Sequence, residues 1–226
     1  MKSVDEIVSV LKENARPDQL KGMAKFGMTS TKRLGISIPV LRKMAKEISK
    51  NHNLALQLWK TGFQEARILA GMIDKPEEVT EQQMEEWVIE FDSWDVCDQV
   101  CMNLWDKVSF VNRKTFEWSN RREEFVKRAA FALIACVAWH DKNSPDENFI
   151  KYFPLINRES IDERNYVKKA VNWALRHIGK RNINLNRIAI KTAKEIRQIE
   201  SKSARWIARD AIRELESDSV QKRLIS

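Results

Sequence analysis

The chain has 226 residues, of which 40 are Lys or Arg and 32 are Asp or Glu, so its formal charge is +8. This length suits one domain or one short solenoid and allows a substantial core. The sequence contains no charged-then-apolar leader and no apolar run of membrane-spanning length, which argues against a secreted or membrane-spanning protein. We therefore expect a protein of the reducing cytoplasm.

Positive charge is concentrated in the second half of the chain. Residues 1–113 contain 16 basic and 17 acidic side chains, whereas residues 114–226 contain 24 basic and 15 acidic side chains. The resulting charge of +9 on the second half is enough to attract a polyanion if it clusters on one surface. The alternative is an ordinary solvated surface spread over many helices.

Hydrophobic residues recur at three- and four-residue spacing almost throughout, which predicts an all-α protein. No segment shows the alternating pattern of strands. We expect about a dozen helices, most of them of roughly 10–18 residues. Thr80 followed by Gln83 predicts a capping box at the start of one of them. Helix boundaries are predicted near Arg16-Pro17, Ile38-Pro39, Lys75-Pro76, Ser144-Pro145, Phe153-Pro154 and Asn182.

Four short segments resemble one another and indicate a weak internal repeat. In residues 65–70, 126–131, 167–172 and 203–208, small residues stand beside a basic residue on a predicted helix. This recurrence suits the inner helices of stacked helix pairs. We therefore predict a single domain over residues 1–226, an α-solenoid of HEAT-like repeats with a concave basic groove. The sequence lacks the Trp, Gly and Tyr residues that mark a tetratricopeptide array. A plain helical bundle is the remaining alternative.

Trp94 and Asp98 lie one turn apart on a predicted helix and form the first candidate catalytic pair. They lie along one margin of an apolar stripe, whereas Asp95 is predicted to point outward into solvent. A carboxylate beside the phosphates of a bound polyanion would carry an electrostatic cost, so it needs a chemical reason. Stabilising a cationic transition state or activating water would supply one. The alternative is an acid that caps a helix or pairs with a neighbouring basic side chain.

The three cysteines, Cys97, Cys101 and Cys136, raise the question of a metal site. Cys97 and Cys101 lie one turn apart, and His140 is a third conceivable ligand. A zinc site normally needs more ligands at closer spacing. We therefore predict small buried thiols and no metal.

Arg128 is predicted to face away from the buried stripe of its helix, because it lies 200° around the helix from Val126. Its position on an inner helix favours contact with a phosphate. The alternatives are a solvated side chain or an ion pair with Glu124 one turn earlier.

Trp173 lies 200° from Val171 and is therefore also predicted to point away from its apolar stripe. Three cations, Lys169, Arg176 and Lys180, share its side of the helix. Such an indole suits a ring presented to a ligand in a basic groove. The alternative is a tryptophan packed on the next repeat.

Several motifs, taken in order, resemble the AlkD-like family of DNA alkylation-repair glycosylases, which are built from HEAT-like repeats. The segment Leu34-Gly35-Ile36-Ser37-Ile38-Pro39 is similar to a Leu-Gly-Ile-x-x-Pro segment of that family. Residues 94–98 match its Trp-x-x-x-Asp element, and residues 127–130 match the helix that carries its active-site arginine. Residues 168–176 match its Lys-Ala-x-x-Trp-x-Leu-Arg element. The resemblance covers most of the chain.

This resemblance implies Asp98 as the catalytic carboxylate, Trp94 and Trp173 as aromatic walls, and Arg128 as a contact to the DNA backbone. Phe26 stands where catalytic members tend to have a tyrosine near the lesion, and Ser93 where a second tryptophan can occur. The basic side chains that would hold phosphates are Lys168, Lys169, Arg176 and Lys180.

The resulting expectation is a monomeric DNA glycosylase that acts on duplex DNA containing N3- or N7-alkylated purines, without a metal or organic cofactor. Two alternatives use the same fold. One is a non-catalytic protein that recognises bent or branched DNA, and the other is a helical-repeat adaptor that binds an acidic protein partner.

Overall fold

The computed structural model describes residues 3–225, and every regular element within them is helical. Contacts between Cα atoms divide the chain into two compact units, the first ending at Ser109 and the second beginning at Phe110. The all-α prediction is confirmed. The single domain stays a prediction, and the two units are described separately.

The first unit is built from helices of 8 to 11 residues. Within its described residues they are α1 (Val4–Glu13), α2 (Pro17–Ala24), α3 (Ile38–Ile48), α4 (His52–Lys60), α5 (Gln64–Ile73), α6 (Glu81–Ile89) and α7 (Trp94–Asn103), followed by a 3-10 turn at Trp105–Lys107.

The second unit contains the longest helices of the described chain, α9 and α12. Its elements are α8 (Val111–Ser119), α9 (Glu124–His140), α10 (Glu147–Ile150), α11 (Phe153–Glu159), α12 (Asn165–Gly179), α13 (Ile183–Ile196), α14 (Lys202–Leu215) and α15 (Asp218–Ile225). The described residues thus hold more helices than the expected dozen, and several are shorter than expected because turns such as Asn120–Glu123 interrupt the hydrophobic periodicity.

Helices begin where proline and capping residues predict. Pro17 lies in the first turn of α2, Pro39 in that of α3 and Pro154 in that of α11. The side chain of Asn182 accepts a hydrogen bond from Leu185 N at the start of α13. Thr80 likewise caps α6 as predicted.

The capping box at Thr80 is only half formed. The hydroxyl of Thr80 accepts a hydrogen bond from Gln83 N at 3.1 Å, as expected of the N-cap residue. The Gln83 amide does not close the box, because its Oε1 accepts no hydrogen bond from the backbone N–H of Thr80. The Nε2 of Gln83 donates to Asp74 Oδ2 at 2.7 Å.

The four repeat segments lie on α5, α9, α12 and α14, which supply much of the core. Helix α5 packs against α3, α4 and α7 in the first unit. In the second unit, α9 packs against α8 and α12, and α12 also contacts α11, α13 and α14. Helices enclosed in this way bury more than one face, which matters for Arg128 below.

Small residues allow close packing at the end of α12. A Cβ atom on Gly179 would stand 2.8 Å from the Cβ of Ala189 on α13 and 2.8 Å from a methyl group of Leu215 on α14. Glycine therefore sets the distance between these helices. The three cysteines are buried, as predicted, and form no disulfide. The described residues contain no cluster of three or more His, Cys, Asp or Glu side chains that could hold a metal.

Candidate functional site

The start of α7 is fixed by a buried ion pair that sequence analysis missed. Arg33 donates from Nη1 to Asp95 Oδ2 at 2.7 Å and from Nη2 to Asp95 Oδ1 at 2.9 Å. Its Nη2 also donates to the hydroxyl of Ser93 at 2.9 Å, and that hydroxyl donates to Asp95. The side chains of Arg33 and Asp95 are only 2% and 13% exposed. The prediction of a solvated Asp95 is therefore wrong, because a cation 62 residues earlier in the chain draws it inward.

Trp94 lies beside the segment that carries Phe26. The indole Nε1 of Trp94 donates to the carbonyl oxygen of Phe26 at 2.9 Å, so the ring is held by its polar edge. The side chain of Phe26 is 68% exposed and the indole is half-buried. The structure thus brings together two aromatic candidates that are 68 residues apart in sequence.

Asp98 follows Trp94 by one turn of α7, and its side chain is also half-buried. The neighbouring residues Val96, Cys97 and Val100 are buried in the core. Trp94 and Asp98 therefore lie at the margin of the buried stripe, as predicted, where both can be reached from solvent. A carboxylate in such a place can stabilise positive charge or hold a water molecule.

The Leu34-Gly35 motif is a backbone turn held by a buried acid. Both carboxylate oxygens of Glu65 on α5 are used, because Leu34 N donates at 2.9 Å and Gly35 N donates at 2.8 Å. Gly35 has φ +80°, and a Cβ atom there would stand 2.3 Å from the carbonyl oxygen of Arg16. This turn directly follows Arg33, so it positions the guanidinium that fixes α7.

Arg128 does not face solvent. Its side chain lies on α9, is 5% exposed, and donates from Nη1 to the carbonyl oxygen of Tyr166 on α12 at 2.7 Å. The predicted exposure is wrong because α12 covers the face of α9 opposite its first apolar stripe. Its predicted contact with a phosphate stays a prediction.

Trp173 is half-buried on α12, and its ring meets His177 edge-on with 5.8 Å between ring centroids. Burial, reinforced by the charges of Lys180 and Arg176, lowers the pKa of His177 from 6.5 to about 3. The imidazole is therefore neutral at physiological pH. The prediction that Trp173 is not part of the main buried stripe agrees with its partial exposure.

The predicted cationic cluster divides into paired and exposed members. Arg176 forms an ion pair with Glu214 on α14 and lies 3.6 Å from Asp210, while Lys180 Nζ donates to Glu214 Oε1 at 2.6 Å. Burial raises the pKa of Glu214, but hydrogen bonding to Lys180 and the charge of Arg176 outweigh it and hold that pKa below 4.5. Arg176 and Lys180 are thus positioned by a carboxylate that sequence analysis did not assign to them.

The two lysines at the start of α12 differ from that pair. The ammonium group of Lys168 lies 5.5 Å from the centre of the Trp206 ring, and Lys169 is exposed. Both are placed to attract an anion on the surface of the second unit.

Comparison with known proteins identifies the relatives of this chain. A family model described as DNA alkylation repair enzyme matches residues 7–215. No curated protein matches the chain.

None of the described helices is both long and apolar enough to cross a membrane.

Among solved structures, the chain is similar to a protein of a new family related to the HEAT-like repeat DNA glycosylases with affinity for branched DNA structures. The two share 18% identity with a TM-score of 0.81, over 99% of this chain and 96% of the other. An engineered protein (10% identity, TM-score 0.40, 96% and 99% coverage) and a designed armadillo repeat protein bound to a (KR)4 peptide (13%, 0.38, 96% and 95%) are more distant. The first similarity confirms the predicted HEAT-like helical-repeat fold.

Proposed function

Because this chain belongs to the DNA alkylation repair enzyme family, we propose that it is a DNA glycosylase that releases cationic N3- or N7-alkylated purines from duplex DNA. The observation that carries this proposal is the pair Trp94 and Asp98, one turn apart on α7 and both accessible at the margin of the core. Family membership supports DNA as the partner over the alternative of an acidic protein.

In the proposed reaction the leaving base does not have to be protonated by the enzyme. An N3- or N7-alkylated purine is already cationic, so the bond between C1′ and the base breaks with its electron pair passing to the base, which departs neutral. Positive charge then develops on the deoxyribose, as in other oxocarbenium-like reactions. Water adds to C1′ and loses its proton, which completes the hydrolysis.

Asp98 is proposed to stabilise the oxocarbenium charge as a carboxylate and to position the attacking water. Trp94 would place its electron-rich face against the sugar, and its hydrogen bond to the Phe26 carbonyl would fix the ring orientation. The Arg33–Asp95 pair would hold the start of α7 so that Trp94 and Asp98 keep their separation.

The remaining roles are proposed from the resemblance. Trp173 would be the second aromatic wall, and Lys168, Lys169, Arg176 and Lys180 would contact phosphates. Arg128 already donates a hydrogen bond to the carbonyl oxygen of Tyr166. To contact a DNA phosphate as well, its side chain would have to move or use another N–H group of the guanidinium. Phe26, without the hydroxyl of a tyrosine, would contribute its exposed ring.

The test is the release of free bases from methylated duplex DNA. We expect free 3-methyladenine or 7-methylguanine to appear, with strand breaks only after the abasic product is treated with alkali. A matched control substrate is the same duplex without methylation. Breaks without alkali, or no free base at any protein concentration, would contradict the proposal.

A second candidate function is the recognition of branched DNA without base release. It is favoured by the affinity for branched DNA ascribed to the protein with a TM-score of 0.81, and by the departures at Phe26 and Ser93. Salt-sensitive binding of a four-way junction in preference to linear duplex, with no release of methylpurines, would support it over the glycosylase.

A further inference from the structure

The second unit contains an open cavity that shares only Lys180 with the residues of the proposed function. Its volume is about 610 Å³, which is within the range of small-ligand sites. The lining comes from the end of α9, the end of α12, the start of α13 and the last turns of α15. The lining residues are Ala138, Trp139, Lys142, Ser144, His177, Lys180, Arg181, Asn182, Arg223 and Leu224.

The lining is cationic. Lys142, Lys180, Arg181 and Arg223 all contribute, and no Asp or Glu is among the lining residues. The carboxylates nearby are engaged: Glu214 pairs with Lys180, and Asp146 accepts from Asn182 Nδ2 at 2.7 Å. Asp141, whose charge also acts on Arg181, accepts from the backbone N–H groups of Asn143 and Ser144. Lys142 is exposed at the rim. Such a lining attracts an anion.

Arg181 is fixed in the wall of the cavity. Its Nη1 donates to the carbonyl oxygen of Ala138 at 2.9 Å and to that of Asp141, and its guanidinium stacks 3.8 Å from the centre of the Phe149 ring. These contacts are to neutral groups, so the charge of Arg181 is held in place without a carboxylate ion pair.

Trp139 gives the cavity an aromatic surface. It is 46% exposed, the highest value for any tryptophan in the described part of the chain. Its ring stacks on that of His140 with 4.7 Å between centroids and meets His177 edge-on at 6.1 Å. Two imidazoles therefore orient the indole before any ligand binds, which lowers the entropic cost of stacking on it.

We propose that this cavity binds an unstacked nucleotide of a DNA strand, with its base on Trp139 and its phosphate against Lys142 and Arg181. A nucleotide combines a flat aromatic base with an anionic phosphate. The indole of the cavity suits the base, and its cationic side chains suit the phosphate. A base inside an intact duplex has no free face, so the ligand is an unpaired nucleotide at a strand end, gap or branch. This inference rests on the proposed binding of DNA.

The experiment compares three DNA ligands of the same duplex sequence by fluorescence anisotropy. One is blunt, one carries a four-nucleotide single-stranded extension, and one carries an abasic extension with the same number of phosphates. We expect the base-containing extension to bind about tenfold more tightly than the abasic one, because stacking contributes that much for one or two bases. Equal affinity for these two ligands would overturn the proposal.

Two variants assign the effect to the cavity. Trp139→Leu should abolish the preference for bases over the abasic extension, while Lys142→Gln should weaken both extensions and leave the blunt duplex nearly unchanged. Lys191→Gln and Ile161→Ala are matched controls, because both side chains are exposed on the same unit. Retention of the base preference by a folded Trp139→Leu protein would contradict the role of the indole.

Competition identifies the chemistry that the cavity recognises. Thymidine monophosphate should displace the extension at concentrations where inorganic phosphate does not. Equal competition by inorganic phosphate would overturn the aromatic part of the site. Release of methylpurines from blunt duplex is measured in parallel: if release fails while the Trp139-dependent preference persists, the glycosylase proposal fails and the nucleotide site stands. If methylpurines are released but the preference for bases is absent, the nucleotide site fails and the glycosylase proposal stands.

Discussion

Arg33 and Asp95 form a paired charge at the start of the helix that carries Trp94 and Asp98, and both members are almost fully buried. An ion pair of this kind is costly to break, because the remaining charge stays in a poorly solvated place. The same chain holds an exposed counterpart, Arg16 and Asp18, whose side chains are 62% and 55% exposed. Comparing variants of the two pairs therefore separates the effect of the buried ion pair from that of a charge change on the surface.

Asp95→Ala should lower the free energy of unfolding by about 3 kcal/mol, because Arg33 loses a bidentate partner in the core. Asp18→Ala removes an exposed pair that solvent screens, so its free energy of unfolding should stay close to that of the parent. Urea unfolding followed by circular dichroism measures both. An Asp95→Ala protein as stable as the parent would show that the ion pair does not hold α7.

His177 makes stability depend on pH. Its pKa is lowered to about 3 in the folded protein, from 6.5, so below pH 6.5 the unfolded state takes up a proton that the folded state does not. Its contribution to stability is complete above pH 6.5 and declines as pH falls from 6.5 towards 3. His177→Gln should lose less stability than the parent between pH 7.5 and 5.5, as thermal unfolding would measure. Identical pH profiles for parent and variant would contradict this account.

The packing of α12 on α9 decides the burial of Arg128, which the residue pattern of α9 alone does not reveal. The angular separation from Val126 correctly places Arg128 off the first apolar stripe, but it does not reveal that α12 covers the other side of α9. Twelve residues of α9 are buried, including Phe131, Leu133 and Ile134. A helix enclosed by two neighbours buries its polar residues too, and they must find partners there. Arg128 does so at the carbonyl oxygen of Tyr166.

Arg128→Met should lower the free energy of unfolding by about 2 kcal/mol, since a charged hydrogen bond between α9 and α12 is lost. Arg122→Met is the matched control, because Arg122 is exposed just before α9 and its loss should change stability by no more than about 0.5 kcal/mol. Chemical denaturation of both variants tests this. A stable Arg128→Met protein with weakened DNA binding would instead assign Arg128 to phosphate contact alone.

Local signals predicted the elements better than they predicted the site. Proline and N-cap residues are read from a few neighbouring positions, so the starts of α2, α3, α6 and α13 were predictable. The partners of Asp95 and Arg128 lie 62 and 38 residues away in the chain, and no local pattern encodes them. The same is true of Glu214, which holds Arg176 and Lys180. Trp139 also gave no signal, because it follows the long apolar run of residues 129–138 on α9.

At the scale of the whole molecule, the charge is divided unequally between the two units. Residues 1–109 contain 15 basic and 17 acidic side chains, whereas residues 110–226 contain 25 and 15. We therefore propose that the second unit attracts DNA electrostatically, whereas the proposed carboxylate chemistry belongs to the first. This division lets binding and cleavage be altered separately.

Lys169→Gln should weaken binding to duplex DNA uniformly across sequences and reduce the slope of log K against log salt by about 1, because one phosphate contact is lost. Lys191→Gln, on an exposed side chain of the same unit, should leave the slope unchanged. Anisotropy titrations between roughly 50 and 200 mM salt give both slopes. Equal slopes for parent and Lys169→Gln would remove Lys169 from the interface.

The most direct test of the central claim is the single-turnover rate of 7-methylguanine release by the Asp98→Asn variant, with duplex affinity measured on the same preparation. Glu86→Gln, on an exposed position of α6, is the control for loss of one negative charge. We predict a rate at least about 100-fold below that of the parent for Asp98→Asn, with DNA binding unchanged or tighter and Glu86→Gln fully active. Release by Asp98→Asn at the parental rate would show that this carboxylate does not carry the reaction.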